Sequence, residues 1–217
     1  MSRVENEVLF SQMNWRYACK KFDPNKIIRE ADWNILAETL RLTPSSNGLQ
    51  PWKFILVQQN TELRQKLYEA AWKQSAVIDS SHFLVITYKE KMDEAYIERH
   101  IENTSLITGN PIENLAKYRN SIIRDIIQGP RGATVEWWAQ RQCYIAMGSL
   151  LTTAALMEID TLPMEGINCA AYDQLLEIEG SGYKTIAAIA CGYRSPEDKY
   201  ASVKKVRFDM KDVLTIK

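Results

Sequence analysis

Residues 44–57 have the sequence PSSNGLQPWKFILV, in which a polar stretch leads directly into an apolar one. Pro44 to Gly48 are turn-forming residue types, which predict a loop. Trp52 to Val57 are mostly aromatic, branched or aliphatic, which is typical of a buried strand. The hydroxyls, amides and exposed backbone of the loop could bind an aromatic heterocycle, but a simple turn before a strand would have the same composition.

Two other apolar stretches predict buried strands, at residues 82–88 (HFLVITY) and 185–191 (TIAAIAC). Apolar residues at helical spacing predict helices over residues 32–42, 61–72 and 134–159. The last of these is apolar on nearly every side from Cys143 to Met157, so we expect neighbours all around it. Thr161-Leu162-Pro163 is predicted to be a break after this helix.

The remaining segments are more polar. Ser2-Arg3-Val4-Glu5 has the pattern of a capping box, which predicts a helix running to about Arg16. Residues 92–128 predict exposed helices around a break at 108–111, and this stretch could form a mobile cover. The chain from about residue 196 to 217 is basic and predicted to be an extended arm. No repeat or linker is evident, so we expect residues 1–217 to form a single domain.

Composition limits the kinds of partner. Lys plus Arg and Asp plus Glu each total 27, so the net charge is zero and no basic surplus favours nucleic acid or anionic lipid. We therefore expect a small-molecule partner. The most apolar stretch is too short to cross a bilayer, and the N-terminal residues lack the pattern of a signal peptide. The four cysteines form no Cys-x-x-Cys pair, which argues against a metal site and favours reduced thiols in the cytoplasm.

Common catalytic patterns are missing. There is no Gly-x-Gly-x-x-Gly after a strand and no Gly-x-x-x-x-Gly-Lys-Ser/Thr. The only histidines are His82, predicted to be structural at the head of a strand, and His100, predicted to lie on a solvated helix face. Basic residues remain as candidates, at Arg16, Lys20, Lys204, Lys205 and Arg207. They could converge on a phosphate, but taken alone any one pair of them is more typical of a solvated surface.

Taken in order, several segments resemble the FMN-dependent nitroreductase family. Residues 16–23 (RYACKKFD) are similar to its Arg-x-Ser-x-Lys-x-Phe motif, and residues 44–52 to its Pro-Ser-Ser-x-x-x-Gln-Pro-Trp motif. Residues 163–166 (PMEG) resemble its flavin-contacting turn, and residues 205–207 (KVR) its C-terminal Lys-x-Arg. The similarity extends over almost the whole chain and is weakest in residues 92–128.

The resemblance implies a role for each matching residue. Arg16, Lys205 and Arg207 would hold the FMN phosphate, and Lys20 would lie near flavin N1 and the C2 carbonyl. A backbone N–H of the Glu165-Gly166 turn would lie near N5. The complete set implied to bind FMN is Arg16, Tyr17, Ala18, Lys20, Ser45, Asn47, Lys73, Gln74, Pro163, Met164, Glu165, Gly166, Lys205 and Arg207.

Three positions depart from the family pattern. Ala18 stands where serine is usual, so only backbone could bind phosphate there. Lys73 stands where asparagine is common, and Ala76 where some members have a second lysine, so Lys73 or Gln74 would substitute at the pyrimidine edge. These departures concern the details of flavin binding.

The resemblance also implies an α+β fold in which a small, mainly antiparallel sheet is wrapped by helices, assembled as an intertwined homodimer with FMN at the interface. NADH or NADPH would reduce FMN by hydride transfer, and a nitroaromatic, a quinone or a similar flat acceptor would follow in a ping-pong cycle. The flavin would carry the chemistry, so no catalytic side-chain acid or base is expected. Three alternatives stay open: another FMN reaction, such as reductive dehalogenation or flavin fragmentation; a flavin carrier without turnover; and a structural dimer without cofactor.

Overall fold

The structure is a computed structural model that describes residues 3–59 and 61–217. Its strands are β1 (Trp52–Val57), β2 (His82–Lys89), β3 (Asp160–Met164) and β4 (Tyr183–Gly192). They form a four-stranded antiparallel sheet in the order β1-β2-β4-β3. The three apolar stretches that predicted strands are thus β1, β2 and β4.

The helices are α1 (Asn6–Trp15), α2 (Glu30–Leu42), α3 (Glu62–Glu69), α4 (Ala76–Asp79), α5 (Glu94–Thr108), α6 (Ala116–Ile123), α7 (Val135–Leu156), α8 (Cys169–Leu175) and α9 (Met210–Val213). Helices α2, α5, α6 and α7 pack on one face of the sheet, and α3, α4 and α8 on the other. The predicted α+β class, a small antiparallel sheet wrapped by helices, is confirmed.

Strand β2 lies inside the sheet and shows why its sequence is continuously apolar. Side chains alternate between faces along a strand, so Leu84 and Ile86 enter the core beneath α7, while Phe83 and Val85 enter the core beneath α3. All four are at most 2% exposed. A strand buried on both faces loses the polar alternation of a half-exposed one.

The predicted break at residues 161–163 is wrong, because these residues lie in β3. Thr161 pairs with Cys191 and Pro163 with Ile189. Pro163 is tolerated because β3 is an edge strand, which needs a ladder partner on one side only.

The ends of the chain differ in part from expectation. Ser2, in the predicted capping box, lies outside the described residues, and α1 begins at Asn6 after an N-cap at Glu5. The C-terminal arm is extended except for a short 3-10 turn at Lys199–Ser202 and the single turn of α9.

The middle segment contains α5 and α6, separated by a break in which Gly109 ends α5 with a left-handed φ of 69°. A π-helical turn at Arg124–Gln128, which the sequence did not predict, follows α6. Whether residues 92–128 move as a cover stays a prediction. Of the helices in the described ranges, none combines the length and the apolar character that a bilayer crossing requires.

Helix α7 is buried along one side only within a single chain, so the expectation of neighbours all around it is not met there. Ala146 and Leu150 are fully buried, whereas Tyr144 and Ile145 are 40% and 45% exposed. A Cβ atom at Gly148, on the exposed side, would meet nothing within 4 Å.

Candidate functional site

The C-terminal arm returns to the end of α1 and brings basic residues from both ends of the chain together. Arg16 is the C-cap of α1. The Lys205 ammonium donates hydrogen bonds to the backbone carbonyl of Met13, at 2.7 Å, and to that of Arg16. The last carbonyls of a helix lack partners within the helix and carry partial negative charge, so a lysine is favourable there. The arm also places Arg207 close enough for its charge to act on Arg16.

These three cations repel one another. The pKa of Arg16 is lowered by burial and by the charge of Arg207, and the pKa of Lys205 by burial and by both arginines. Over residues 3–59 and 61–217, none of the three forms an ion pair with a carboxylate. Arg16 Nε is buried and has no hydrogen-bond partner among the described residues. We refer to Arg16, Lys205 and Arg207 as the cation cluster. Its positive charges and its unpartnered donor would be stabilised by a bound anion.

Another arginine, Arg194, holds the residues on either side of Arg16 in place. The Arg194 guanidinium binds the buried Asp160 carboxylate through Nε, at 2.9 Å, and Nη2, at 2.6 Å. The rings of Trp15 and Tyr17 lie 4.1 and 4.6 Å from this guanidinium. The neighbours of Arg16 on either side are thus anchored on Arg194, and Lys205 binds the carbonyl of Arg16 itself.

The segment after Arg16 lies along the free edge of β3. Ala18 forms a parallel bridge with Thr161, and the Cys19 N–H donates to the Thr161 carbonyl at 3.1 Å. Lys20 follows with an exposed side chain. Since β3 continues from Thr161 to the turn at Glu165-Gly166, one sheet edge carries both the predicted phosphate residues and the predicted ring-contacting turn.

The Glu165-Gly166 turn is held by side chains. Gln74 Nε2 donates to the Gly166 carbonyl at 2.9 Å, and the Tyr144 hydroxyl donates to the Glu165 carboxylate. Neither Glu165 nor Gly166 donates its own backbone N–H to an acceptor in the part of the chain that the structure describes. The turn therefore presents unused backbone donors.

Residues 72–74 lie beside this turn. Trp72 and Lys73 have left-handed φ values of 53° and 54°, which cost free energy in residues other than glycine. The Lys73 ammonium points back to Glu69, 3.5 Å away. Gln74, and not Lys73, is the residue that reaches the turn.

Some predicted cofactor residues have side chains that the fold already uses. Tyr17 donates its hydroxyl to Asp198 at 2.9 Å, and Met164 is 3% exposed in the core beneath α3. Pro163 is half-buried in β3. Ala76, which stands where some family members have a second lysine, is buried in α4. At Met164 only backbone is free to contact a ligand.

The Ser45–Asn47 loop is fixed on the other side of the molecule. The Asn47 carbonyl accepts from the Tyr118 hydroxyl at 2.7 Å, and Ser45 Oγ accepts from the Gln50 N–H at 2.8 Å. The Ser46 N–H donates to Gln142 of α7 at 2.9 Å. Asn47 has a left-handed φ of 55°, which asparagine tolerates better than most residues.

Helix α7 separates this loop from the turn. Gln142 contacts the loop and Tyr144 contacts Glu165. Positions two residues apart in a helix, such as 142 and 144, differ by about 200° around its axis. These two side chains therefore leave α7 on nearly opposite sides. A single chain therefore brings Arg16, Lys20 and Gly166 to one edge but does not bring Ser45 and Asn47 to them.

The two histidines serve the fold. His82 Nδ1 lies 2.9 Å from Ser81 Oγ, its ring stacks on Trp33, and burial followed by the charge of Arg64 lowers its pKa to about 4. The structural role predicted for His82 fits these contacts. The solvated face predicted for His100 is met only in part, because the ring is half-buried beside Gly48 and burial lowers its pKa.

Two other kinds of site are alternatives to the cation cluster, namely a cavity and a metal site. A cavity of about 840 Å³ lies between α2, α5 and β1, and its lining contains none of the cation cluster. Within residues 3–59 and 61–217, no group of three or more histidine, cysteine, aspartate or glutamate side chains is arranged to hold a metal ion. Sequence reasoning did not identify Trp72, Gln142, Tyr144 and Asp198, whose roles depend on long-range contacts.

The chain is similar to known proteins in family, in sequence and in structure. The model of the Nitroreductase family matches residues 13–193. A Bacillus subtilis protein provisionally named an NAD(P)H nitroreductase is 34% identical, and the alignment covers 99% of each chain. A nitroreductase-like protein from Streptococcus mutans has a TM-score of 0.83 at 18% identity, with 98% of this chain and 99% of that chain covered. An Exiguobacterium sibiricum protein, provisionally named a nitroreductase and solved in complex with FMN, has a TM-score of 0.78 at 18% identity, with 100% and 99% covered.

Proposed function

The chain belongs to the nitroreductase family, and we propose that it is an FMN-dependent oxidoreductase that uses NADH or NADPH to reduce small, flat acceptors such as nitroaromatics or quinones. The observation that carries this proposal is the cation cluster, which has three positive groups, a buried unpartnered Arg16 Nε and no carboxylate partner among the described residues. When bound, FMN supplies the hydride transfer from the nicotinamide and the electron transfer to the acceptor, in a ping-pong cycle.

A phosphate monoester fits the cluster in charge and in hydrogen-bonding chemistry. Its oxygens are hydrogen-bond acceptors, and the cluster offers donors and positive charge. Arg16 and Lys205 are held by the fold, whereas Arg207 is exposed and donates to the neighbouring Val206 carbonyl. Arg16 and Lys205 would form the base of the phosphate site, and Arg207 would close over it.

The ring would lie toward the other end of β3. The unused backbone N–H groups of Glu165 and Gly166 can donate to a ring nitrogen, and the exposed Lys20 ammonium can place positive charge near the pyrimidine edge. These residues orient the ring and stabilise negative charge that develops on it. Nothing in this arrangement requires a side chain to act as a general acid or base.

The site is proposed to be shared between two copies of the chain. Ser45 and Asn47 are implied to lie beside the ring, yet Gln142 and Tyr144 leave opposite sides of α7 toward the loop and the turn. One chain therefore supplies Arg16, Lys20 and Gly166 to a given FMN, and the loop of a second copy completes the site. The cation cluster itself belongs to one chain, since Lys205 contacts α1 of its own chain.

Exposed apolar residues provide a surface for a homodimer. Helix α1 has no buried residue, and its Phe10 is 74% exposed. Ile145 of α7 and Phe208 of the arm are 45% and 83% exposed. A contiguous exposed apolar patch marks an interaction site. A second copy that covers α1, the exposed side of α7 and the arm would bury these residues.

Reductive dehalogenation and flavin fragmentation are other reactions that an FMN site of this kind could support. A flavin carrier would bind FMN without turnover, and a purely structural dimer would bind none.

The four cysteines, all of which lie in the described residues, are free thiols. Free thiols favour the reducing cytoplasm as the location of the protein.

The direct test is an anaerobic absorption spectrum of the purified protein before and after addition of NADH or NADPH. We expect a flavin spectrum that bleaches with at least one donor and recovers when a quinone or nitroaromatic is added. A flavin spectrum that neither donor changes would support the carrier. Colourless protein that takes up no added FMN would contradict the proposal.

A further inference from the structure

Asp198 lies at the start of the C-terminal arm and is 6% exposed. Its Oδ2 accepts hydrogen bonds from the Tyr17 hydroxyl at 2.9 Å, the Lys20 N–H at 2.8 Å and the Lys21 N–H at 3.0 Å. Its Oδ1 accepts from the Tyr200 N–H at 3.0 Å. A single buried carboxylate thus binds donors from the two ends of the chain.

The carboxylate is held in its charged form. Burial alone would raise the pKa of Asp198, but hydrogen bonds from the backbone N–H groups of Tyr200, Lys21 and Lys20 hold that pKa below its ordinary value of 3.8. An anion surrounded by fixed donors is a rigid connection, because removing any donor leaves buried charge less well satisfied.

The donors lie on the segments that carry the proposed FMN residues. Tyr17 follows Arg16 directly, and the Lys20 N–H belongs to the residue proposed to face the ring. Tyr200 lies in the turn Lys199–Ser202, from which the arm continues to Lys205 and Arg207. The carboxylate itself contacts no member of the cation cluster by hydrogen bond within the described residues.

We propose that Asp198 is a positioning residue for the phosphate site, which holds the Arg16–Lys20 segment against the arm so that the cation cluster is assembled before FMN arrives. This inference rests on the proposed function. Assembling three like charges is unfavourable, so the cluster needs contacts other than its own to keep it together. Asp198 supplies such contacts, so the binding of FMN requires less ordering of the arm.

Loss of Asp198 is expected to loosen the cluster without unfolding the chain. The Arg194–Asp160 ion pair still anchors Trp15 and Tyr17. The Ser195 N–H still donates to the Lys21 carbonyl at 2.9 Å. The segment therefore keeps contacts with the body of the protein that do not involve Asp198.

The test is the FMN dissociation constant of Asp198→Asn, measured by flavin fluorescence, in the wild-type and Arg207→Ala backgrounds. An asparagine keeps the shape but loses the charge and one acceptor, so we expect FMN affinity to fall about tenfold or more. In the Arg207→Ala background the same change should cost less than about threefold, because the arm no longer delivers that cation. Equal fold-losses in both backgrounds would indicate general destabilisation and would overturn the inference.

Glu197→Gln is the matched control, because this neighbouring carboxylate is exposed and pairs only with the Lys21 side chain among the described residues. It should change FMN affinity less than about twofold. If Asp198→Asn does not fold, Tyr17→Phe removes one donor and should weaken FMN binding about two- to fivefold. Unchanged affinity in Asp198→Asn or in Tyr17→Phe would refute the role of Asp198. A wild-type protein that binds no FMN would refute the proposed function itself.

Discussion

Cζ3 of Trp72 lies 2.6 Å from the position that a Cβ atom would take at Gly166. Gly166 therefore has no room for a side chain while the indole stays in place. Trp72 is 75% exposed and its φ is 53°, so a large apolar ring is held in a strained backbone conformation over the turn proposed to face the flavin.

We predict that Gly166→Ala changes flavin chemistry more than stability. The indole is exposed and can move, so the unfolding free energy should fall by no more than about 1 kcal/mol. The moved indole and turn should slow flavin reduction by NADH or NADPH at least about tenfold, because small misplacements at a reacting centre are costly. Anaerobic stopped-flow absorbance measures this rate.

The same measurement in a Trp72→Ala background isolates the contact. There the added methyl group meets no ring, so Gly166→Ala should slow reduction less than about twofold. A full slowing in both backgrounds would mean that the methyl group itself, and not the displaced indole, disturbs the site.

Arg207→Ala should separate cofactor binding from fold stability. A charge-assisted hydrogen bond contributes about 1.5–3 kcal/mol, so the FMN dissociation constant should rise about tenfold or more. The apo protein should keep or slightly raise its melting temperature, because Arg207 lowers the pKa of Arg16 and Lys205 through repulsion that the variant relieves. Fluorescence titration and thermal unfolding measure the two effects.

Lys204→Ala is the matched control for this prediction, since it removes one exposed positive charge next to Lys205. It should leave FMN affinity within about twofold of the wild type, because an exposed and screened charge contributes little. Equal losses in both variants would mean that overall charge, and not the cation cluster, attracts the cofactor.

The strands show what was predictable from sequence. β2 and β4 were recognisable because burial of both faces leaves continuous apolar runs, and the residues of β2 are examples. β1 was recognisable from its aromatic and branched residues, but its predicted burial is met only in part, because it is an edge strand in which Lys53 is exposed and Leu56 is 41% exposed. β3 was mistaken for a break because five residues containing Pro163 resemble a turn, and only its position at the sheet edge makes the proline acceptable.

The site was predictable only through the resemblance. Arg16 and Lys205 are 189 positions apart, and neither has a local pattern that distinguishes it from surface charge. The contact of Asp198 with Lys20 spans 178 positions and leaves no periodic signal. The separation of the Ser45–Asn47 loop from the Glu165-Gly166 turn depends on which sides of α7 face them, which requires the packed structure.

Ile145→Glu should dissociate the proposed dimer and release FMN together. The side chain is 45% exposed on α7, and a second copy that covers it would have to bury the new carboxylate. We expect a monomer by gel filtration with light scattering and an FMN affinity lower by about tenfold or more, because the loop of the second copy is lost.

Ile27→Glu makes the same substitution at a residue that is 50% exposed and lies outside α1, α7 and the arm. It should leave both the mass and the flavin content unchanged. A monomeric Ile145→Glu variant that retains FMN at wild-type affinity would show that one chain forms a complete site.

His82 should make the protein sensitive to acid. Its folded pKa of about 4 lies below the ordinary 6.5, because burial and the charge of Arg64 disfavour the imidazolium. The unfolded chain therefore takes up this proton first as pH falls. The associated stability is fully present above pH 6.5 and is lost between pH 6.5 and 4, by at most about 3 kcal/mol.

His82→Phe keeps the stacking on Trp33 and removes this titration. Its unfolding free energy, measured in urea at pH 7, 5.5 and 4.5, should therefore fall less steeply with decreasing pH than that of the wild type. Parallel curves for the two proteins would show that His82 has an ordinary pKa in the folded state.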